Sequence, residues 1–233
     1  MNAEIVIGFL NEHTSKCPYR QLSSNIKDKP CNVCNQINRD ISLLIANVQG
    51  ARKTIDVGLA VVPCEGLTPY LPYQIAGFKI FVQNGENESN RIKNVLSETL
   101  MRGYDSVILI SNRVPNLPVD YIEEALKILR KENDTVLGPL KNGMFYLIGA
   151  KKTSLPVVLR LIEKNNFTFN RVNGQFGFLN SLKQKGIHPY ILPQWYLIRT
   201  IDDLKKLYID FQHGIGWKAR WTHDYLKKRI FSL

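Results

Sequence analysis

Residues 105–150, DSVILISNRVPNLPVDYIEEALKILRKENDTVLGPLKNGMFYLIGA, contain the pattern that decides the fold. Residues 105–111 are a continuous apolar run of the kind that is buried in a parallel sheet. A helix is predicted from Pro118, because proline fits a first turn and the apolar residues after it recur at helical spacing. Two further strands, 134–138 and 143–150, follow directly. The stretch therefore predicts a strand, a helix and two more strands.

The same alternation extends along the chain in both directions. Runs of apolar, β-branched residues predict strands, and segments with apolar residues on one face predict helices. The other predicted elements are the strands 3–10, 55–63, 78–83 and 187–192 and the helices 38–50, 84–101, 155–164, 172–185 and 201–211. This order predicts a single α/β domain with a mainly parallel sheet and helices on both faces.

Ligands of such sheets bind beside the carboxyl ends of the strands. Candidate functional residues are therefore expected in the segments that follow predicted strands. These segments are Asn11–Asn35, Asn112–Leu117, Lys141–Gly143 and Gln194–Thr200.

The composition points to a globular protein with anionic partners. The chain has 233 residues, 44% hydrophobic and 22% charged, and a formal net charge of +11. This charge favours phosphates, nucleic acid or an anionic membrane surface. The apolar runs are too short to cross a bilayer, and no basic segment typical of a secretory signal precedes the first one. We expect a cytoplasmic protein, with a membrane-peripheral location as an alternative.

Several short motifs between Phe78 and Leu207 carry a family resemblance. In chain order they are Gln83-Asn84-Gly85, Asn90-Arg91-Ile92, Arg102-Gly103-Tyr104, Pro115-Asn116-Leu117, Val136–Pro139 with Asn142-Gly143 and Phe145–Gly149, and Asp202-Asp203-Leu204. Together they resemble an uncharacterised bacterial and archaeal transferase family described as radical-SAM/selenium-domain-associated. The resemblance implies the fold of GT-A glycosyltransferases and related nucleotidyltransferases, and binding of a nucleotide diphosphate.

The resemblance also implies a difference at the metal site. Family members are expected to hold a divalent cation through aspartates, since Mg²⁺ and Mn²⁺ prefer carboxylate oxygens. In this chain, Arg113 and Asn142 stand at two of the acidic positions, and Arg199 lies in the segment that replaces the third. We therefore expect no Mg²⁺ or Mn²⁺ at the usual site.

Two hypotheses about function follow. In the first, Arg113 and Arg199 bind the phosphates of a nucleotide diphosphate or nucleotide sugar directly, with Asn112, Asn116 and Asn142 as polar partners. Glycosyl transfer would then need no metal, because basic residues stabilise the departing diphosphate. In the second, the chain is a catalytically inactive GT-A-like module that binds a protein or nucleic acid partner. No residue is predicted as a general base.

A cluster of cysteines near the N-terminus predicts a structural zinc site. The spacing of His13, Cys17, Cys31 and Cys34 is typical of such sites, and Cys64 is an alternative fourth ligand. A [4Fe–4S] cluster on the four cysteines and a set of reduced, metal-free thiols remain as alternatives. A thioredoxin-like redox role is not expected, because the Cys-x-x-Cys motif does not follow a predicted strand and open a predicted helix, as it does in thioredoxin-like βα units.

The predicted domain division separates the tail from the rest of the chain. Residues 1–211 are expected to form the GT-A-like domain, with the Cys-containing segment 11–37 as an insertion. Residues 212–233 form a C-terminal extension with a formal charge of +4 between Trp217 and Arg229.

The extension combines aromatic and basic side chains. Trp217, Trp221 and Tyr225 are spaced by four residues, and five basic residues accompany one acidic residue, Asp224. On a helix the aromatic side chains would share one face, which suits an anionic membrane interface or stacking on single-stranded nucleic acid. The alternative is that the aromatic side chains pack on the domain's own core.

Overall fold

The apolar segment Glu4–Phe9 forms β1, and all six of its residues are buried in the computed structural model. β1 pairs in parallel with β2 on one side and with β4 on the other. The strands are β1 (Glu4–Phe9), β2 (Ile55–Val61), β3 (Lys79–Val82), β4 (Ser106–Ser111), β5 (Thr135–Pro139), β6 (Phe145–Lys151) and β7 (Tyr190–Ile191). The structure describes residues 3–10, 32–51, 54–62, 70–131, 133–141, 143–169 and 175–229.

The strands form one seven-stranded sheet in the order β3-β2-β1-β4-β6-β5-β7. β6 is antiparallel to both of its neighbours, and the other pairs are parallel. The predicted class, an α/β domain with a mainly parallel sheet, is confirmed.

Helices cover both faces of this sheet. They are α1 (Asn32–Ala51), α2 (Leu71–Ile75), α3 (Glu88–Met101), α4 (Val119–Lys131), α5 (Leu155–Lys164), α6 (Gln175–Gln184), α7 (Ile201–Gln212) and α8 (Arg220–Arg229). α1 and α4 pack on one face, and α3, α5 and α6 pack on the other. None of the helices in the described ranges has both the length and the apolar character needed to span a membrane.

A close contact between α1 and β1 depends on a glycine. A Cβ atom at Gly8 would lie 2.7 Å from Ile45 Cδ1 and 2.9 Å from Ile41 Cγ2. Because real Cβ atoms do not approach other carbon atoms so closely, Gly8 allows α1 to lie directly on the centre of the sheet.

The first half of α1 packs against a third cluster instead of the sheet. Val33 and Ile37 are buried there against apolar side chains of α7 and α8. The prediction that this helix begins at residue 38 was therefore wrong by six residues. Its first turns bury only a few apolar side chains, against helices far away in sequence, so the local pattern is weak.

Two helices, α3 and α7, begin with a side-chain cap. α3 begins at Glu88, four residues later than predicted, because the Asn87 side chain accepts a hydrogen bond from the Asn90 N–H and caps the helix. The predicted capping box of Thr200 and Asp203 at the start of α7 is confirmed.

Candidate functional site

The carboxyl ends of β1 and β4 form the topological switch point of the sheet. From β1 the chain continues to β2 and β3 on one side, whereas β4 pairs with β1 on the other side. Connections that leave two such strands diverge, and ligands of α/β proteins bind in the crevice between them. Ser111 ends β4, so Asn112–Leu117 borders this crevice.

Asn112 is held at the end of β4 by two neighbouring elements and is only 5% exposed. Its backbone N–H donates to the Phe9 carbonyl at the end of β1 (3.3 Å). Its side-chain Nδ2 donates to Oδ1 of Asn38 on α1 (2.8 Å). Its Oδ1 is buried and accepts no hydrogen bond from the described residues. Because buried polar atoms are nearly always paired, this oxygen is a candidate acceptor for a ligand.

Arg113, the residue after Asn112, carries a buried hydrogen-bond donor. Its backbone N–H donates to Ser111 Oγ (3.3 Å), and its carbonyl accepts from the Ile198 N–H (2.8 Å). The guanidinium Nε is buried and has no acceptor within the described part of the chain. A charged N–H donor left unpaired at a crevice suits an anionic ligand.

Arg199 lies on the segment that pairs with Arg113. It directly follows Ile198, and its backbone N–H donates to Oδ2 of Asp203 (2.9 Å), the acidic member of the α7 capping box. Its side chain is exposed. The bond between Ile198 and Arg113 therefore brings the two predicted arginines onto adjacent segments of the chain.

Asn116 is 1% exposed and is fully engaged inside the protein. Its Nδ2 donates to the Tyr196 hydroxyl (2.6 Å), and its Oδ1 accepts from the Trp195 indole N–H (3.3 Å). Tyr196 in turn donates to Asp210 (2.6 Å), which pairs with Lys206 (2.7 Å). Burial and the bond to Asp210 raise the pKa of Tyr196 well above its usual value. Asn116 thus anchors the loop after β4 to α7.

The C-terminal arm, residues 214–229, packs against the same loop. The Trp217 N–H donates to the Asn116 carbonyl (3.0 Å), and the Trp217 side chain packs on the core beneath α1 and α4. Gly216 has a φ of +73°, and a Cβ atom there would overlap the Asn116 carbonyl oxygen. Only glycine combines this conformation with so close an approach.

The arm differs from the pattern expected from its sequence. Trp217 precedes α8, so it does not share a helical face with Trp221 and Tyr225. The buried residues of α8 include Thr222, His223 and Leu226. Trp217 packs on the domain's own core, as the alternative for the extension predicted. Trp221 remains 44% exposed.

Asp40 fixes α8 to α1. This fully buried carboxylate accepts hydrogen bonds from the Trp221 N–H (3.1 Å), the Thr222 N–H (2.8 Å) and the Thr222 hydroxyl (2.6 Å). Burial outweighs these bonds and raises the pKa of Asp40 from 3.8 to about 6. Asp40 is not among the residues predicted from the sequence, although it follows Val33 and Ile37 at the spacing of a buried helical face.

The predicted zinc site lies almost entirely outside the described residues. Cys34 is partly buried in the first turn of α1, so the prediction that no helix opens within the Cys-x-x-Cys motif was wrong at Cys34, whereas Cys31 lies outside the described residues. Within the described ranges, no group of three or more His, Cys, Asp or Glu side chains could hold a metal ion. A structural zinc is therefore without support and stays a prediction. The predicted site residues outside the described ranges are His13, Cys17, Cys31, Cys64 and Asn142.

Comparison with solved structures places the chain in a known fold. It superposes on a candidate nucleotide-diphospho-sugar transferase from Desulfovibrio desulfuricans G20 with a TM-score of 0.74 and 21% identity, over 98% of this chain and 95% of that one. It also matches CMP:2-keto-3-deoxy-manno-octonic acid synthetase in complex with CTP, with a TM-score of 0.55 and 13% identity over 92% and 100% of the two chains.

A second nucleotidyltransferase-like match is 4-diphosphocytidyl-2C-methyl-D-erythritol synthase, with a TM-score of 0.55 and 8% identity over 89% of this chain and 98% of that one. At these identities the matches show the fold alone, which is GT-A-like.

No curated protein matches the sequence. The sequence profile of a family described as uncharacterized proteins conserved in bacteria, DUF2064, matches residues 46–166, just over half of the chain. The chain therefore belongs to the DUF2064 family.

Proposed function

We propose that this protein binds a nucleoside diphosphate or nucleotide sugar in the crevice between β1 and β4, and that arginines take the place of a divalent cation. The observation that carries the proposal is that Asn112 Oδ1 and Arg113 Nε are both buried and have no hydrogen-bond partner among the described residues. One is an acceptor and the other a cationic donor, so a ligand that offers both a donor group and an anion would satisfy them together.

A nucleotide diphosphate has both kinds of group. Its phosphates would accept hydrogen bonds from Arg113 and Arg199, whose planar guanidinium groups suit phosphate oxygens. A ribose hydroxyl or a base N–H would donate to Asn112 Oδ1. In a glycosyl transfer, the bond between the sugar and the diphosphate breaks, and arginines placed at the phosphates would stabilise the charge of the departing diphosphate. Asn142 stays a candidate partner.

Asn116 takes a different role in this proposal. Its amide is occupied by Tyr196 and Trp195. We therefore assign it to positioning the loop after β4, so that Asn112 and Arg113 are already in place when the ligand binds. The nucleotides and nucleotide sugars named for the structural neighbours agree with the proposed ligand class.

The second candidate function is a catalytically inactive module that binds a protein or nucleic acid. The observation that favours it is the sequence of the loop itself, because Asn112–Leu117 contains no carboxylate to hold the metal that related transferases are expected to use. The net charge of +11 suits an acidic protein or nucleic acid partner.

Thermal stability measured with a panel of nucleoside diphosphates, nucleotide sugars and oligonucleotides, each with Mn²⁺ or with EDTA, separates these functions. We expect a saturable shift with one nucleotide class that persists in EDTA. Arg113→Ala should weaken binding at least about tenfold, because a hydrogen bond to a charged group is worth about 1.5–3 kcal/mol. Arg199→Ala tests the second arginine in the same way.

Arg160→Ala is the matched control. Arg160 is an exposed arginine of α5, on the helical layer of the other sheet face, and its loss should leave the affinity unchanged. A shift that requires Mn²⁺ would overturn the arginine-based site. Stabilisation by oligonucleotides alone would support the second function, and the absence of any nucleotide effect would end the first.

A further inference from the structure

A patch of basic and apolar side chains lies where α1 meets the start of α8. The basic-aromatic patch consists of Arg39 and Leu43 on α1 and of Lys218, Arg220 and Trp221 on the C-terminal arm. Leu43 is 46% exposed and Trp221 is 44% exposed, and the three basic side chains are exposed. The Arg39 guanidinium carbon lies 4.4 Å from the centre of the Trp221 ring, so the two helices contribute to one continuous surface.

The patch is held in a fixed shape. Asp40 accepts the Trp221 N–H and the Thr222 N–H, which ties the first turn of α8 to α1 next to Arg39. Leu43 lies one turn after Arg39 on the same helical face. Two large apolar side chains are therefore presented to solvent together with exposed cations, on helices that are already folded before a partner binds.

The exposure of the aromatic side chains favours one of the two kinds of anionic partner that the tail sequence suggests. A binding site for single-stranded nucleic acid needs several aromatic faces free for stacking. Here Trp217 packs on the core under α1 and α4, and Tyr225 packs on the cluster of α1, α7 and α8. Of these three aromatic side chains only Trp221 is well exposed, and Arg39 covers one face of its ring.

We infer that the basic-aromatic patch is a peripheral binding surface for an anionic lipid bilayer. Tryptophan is favoured at the level of the lipid headgroups, where its ring is half-immersed, and an exposed leucine beside it adds apolar area. Lysine and arginine around them attract lipid phosphates. The charge is complementary, because Lys218 and Arg220 precede Trp221 within three residues and Asp224 is the one acidic residue between residues 212 and 229. This inference does not depend on the proposed nucleotide site.

Flotation of the full chain with vesicles tests the inference. We expect the protein to float with phosphatidylcholine vesicles that contain about a third phosphatidylglycerol and to stay at the bottom with pure phosphatidylcholine, with binding reduced by high salt. The double variant Lys218→Gln/Arg220→Gln should bind about 25-fold more weakly, because each cation near the surface contributes about a factor of five. The tryptophan emission should shift to the blue on binding, and Trp221→Ala should abolish that shift.

The matched control has the same loss of charge on the opposite face of the sheet. Lys183 and Lys185 are exposed at the end of α6, which packs on the other side of the sheet from α1. Lys183→Gln/Lys185→Gln should bind the vesicles within about twofold of the wild type, since a cation far from the bilayer contributes little. Circular dichroism of all variants checks that they fold.

Three results would overturn the inference. Equal losses in the two double variants would mean that net charge alone attracts the vesicles. Failure of the wild type to float at low salt would exclude the lipid surface. Tighter binding of a single-stranded oligonucleotide than of vesicles, lost in the Lys218→Gln/Arg220→Gln variant, would assign the patch to nucleic acid instead.

Discussion

Replacement of Asp40 by asparagine should change how the stability of the protein depends on pH. The Asp40 carboxylate is fully buried between α1 and α8 and accepts three hydrogen bonds from Trp221 and Thr222. Burial disfavours the charged form more than these bonds favour it, so the pKa of Asp40 in the folded protein rises from 3.8 to about 6. Between these two values the folded state binds a proton that the unfolded state has lost.

The sign and size of the effect follow from this difference in proton binding. Because the folded state binds more protons in this window, the free energy of unfolding falls as the pH rises through it. Ionised Asp40 therefore costs about 3 kcal/mol at neutral pH compared with its protonated form, and about 1 kcal/mol of this should be recovered at pH 5. Asparagine does not titrate, so it removes this contribution.

Urea unfolding of the wild type and Asp40→Asn, followed by circular dichroism from about pH 7.5 to pH 5, measures the effect. The wild type should gain about 1 kcal/mol relative to the variant as the pH falls, while the contributions of all other groups cancel in the difference. Thr222→Val provides a second check, because loss of its hydroxyl bond should raise the pKa of Asp40 further and extend the pH dependence upward. A constant difference, or a relative loss for the wild type at low pH, would refute the dominance of burial.

Two further predictions concern stability. Gly216→Ala should lower the free energy of unfolding by at least about 2 kcal/mol, because the new Cβ overlaps the Asn116 carbonyl oxygen and the residue has a positive φ. Gly214→Ala, at a φ of +69° with open space around it, should cost only about 1 kcal/mol, and equal losses in urea unfolding would contradict the close approach. Thr200→Ala should lower the free energy of unfolding by about 1 kcal/mol through loss of the α7 cap. Thr200→Ser should keep the cap and restore thermal stability. An unchanged melting temperature for the alanine variant would argue against a role for this cap.

The parts of the fold that could be predicted from the sequence are those with a strong local pattern. β4 is a continuous apolar run, and α4 carries its apolar residues at regular helical spacing, so both were placed almost correctly. The first turns of α1 were missed because Val33 and Ile37 pack on α7 and α8 rather than on the sheet. The residues that bury these side chains lie about 170 or more positions later in the chain, so the sequence around α1 carries little signal for its first turns.

The candidate site also has a part that could be predicted from the sequence and a part that could not. Asn112 and Arg113 are candidates because they directly follow a predicted parallel strand, and ligands of such sheets bind beside the strand ends. The partners that fix them could not be predicted, since Asn38 lies 74 residues before Asn112 and the bond from Ile198 to Arg113 joins two separate loops. Asn116 shows the converse. Its position after a strand suggested a ligand contact, whereas its amide bonds to Tyr196 and Trp195 in the folded chain.

The way in which the loop after β4 is held favours a binding role over a site that has merely lost its metal. Asn38 of α1, Tyr196 next to α7 and Trp217 of the arm each fix this loop by a separate hydrogen bond. A loop secured on three sides has little freedom to turn Asn112 and Arg113 toward other partners. Each buried polar atom left unpaired costs about 1–3 kcal/mol, which a chain without a ligand could avoid by substituting apolar residues. Asn112 Oδ1 and Arg113 Nε, an acceptor and a cationic donor on consecutive residues after β4, have no partner among the described residues, which agrees with the proposed site for an anionic ligand that also offers a donor group.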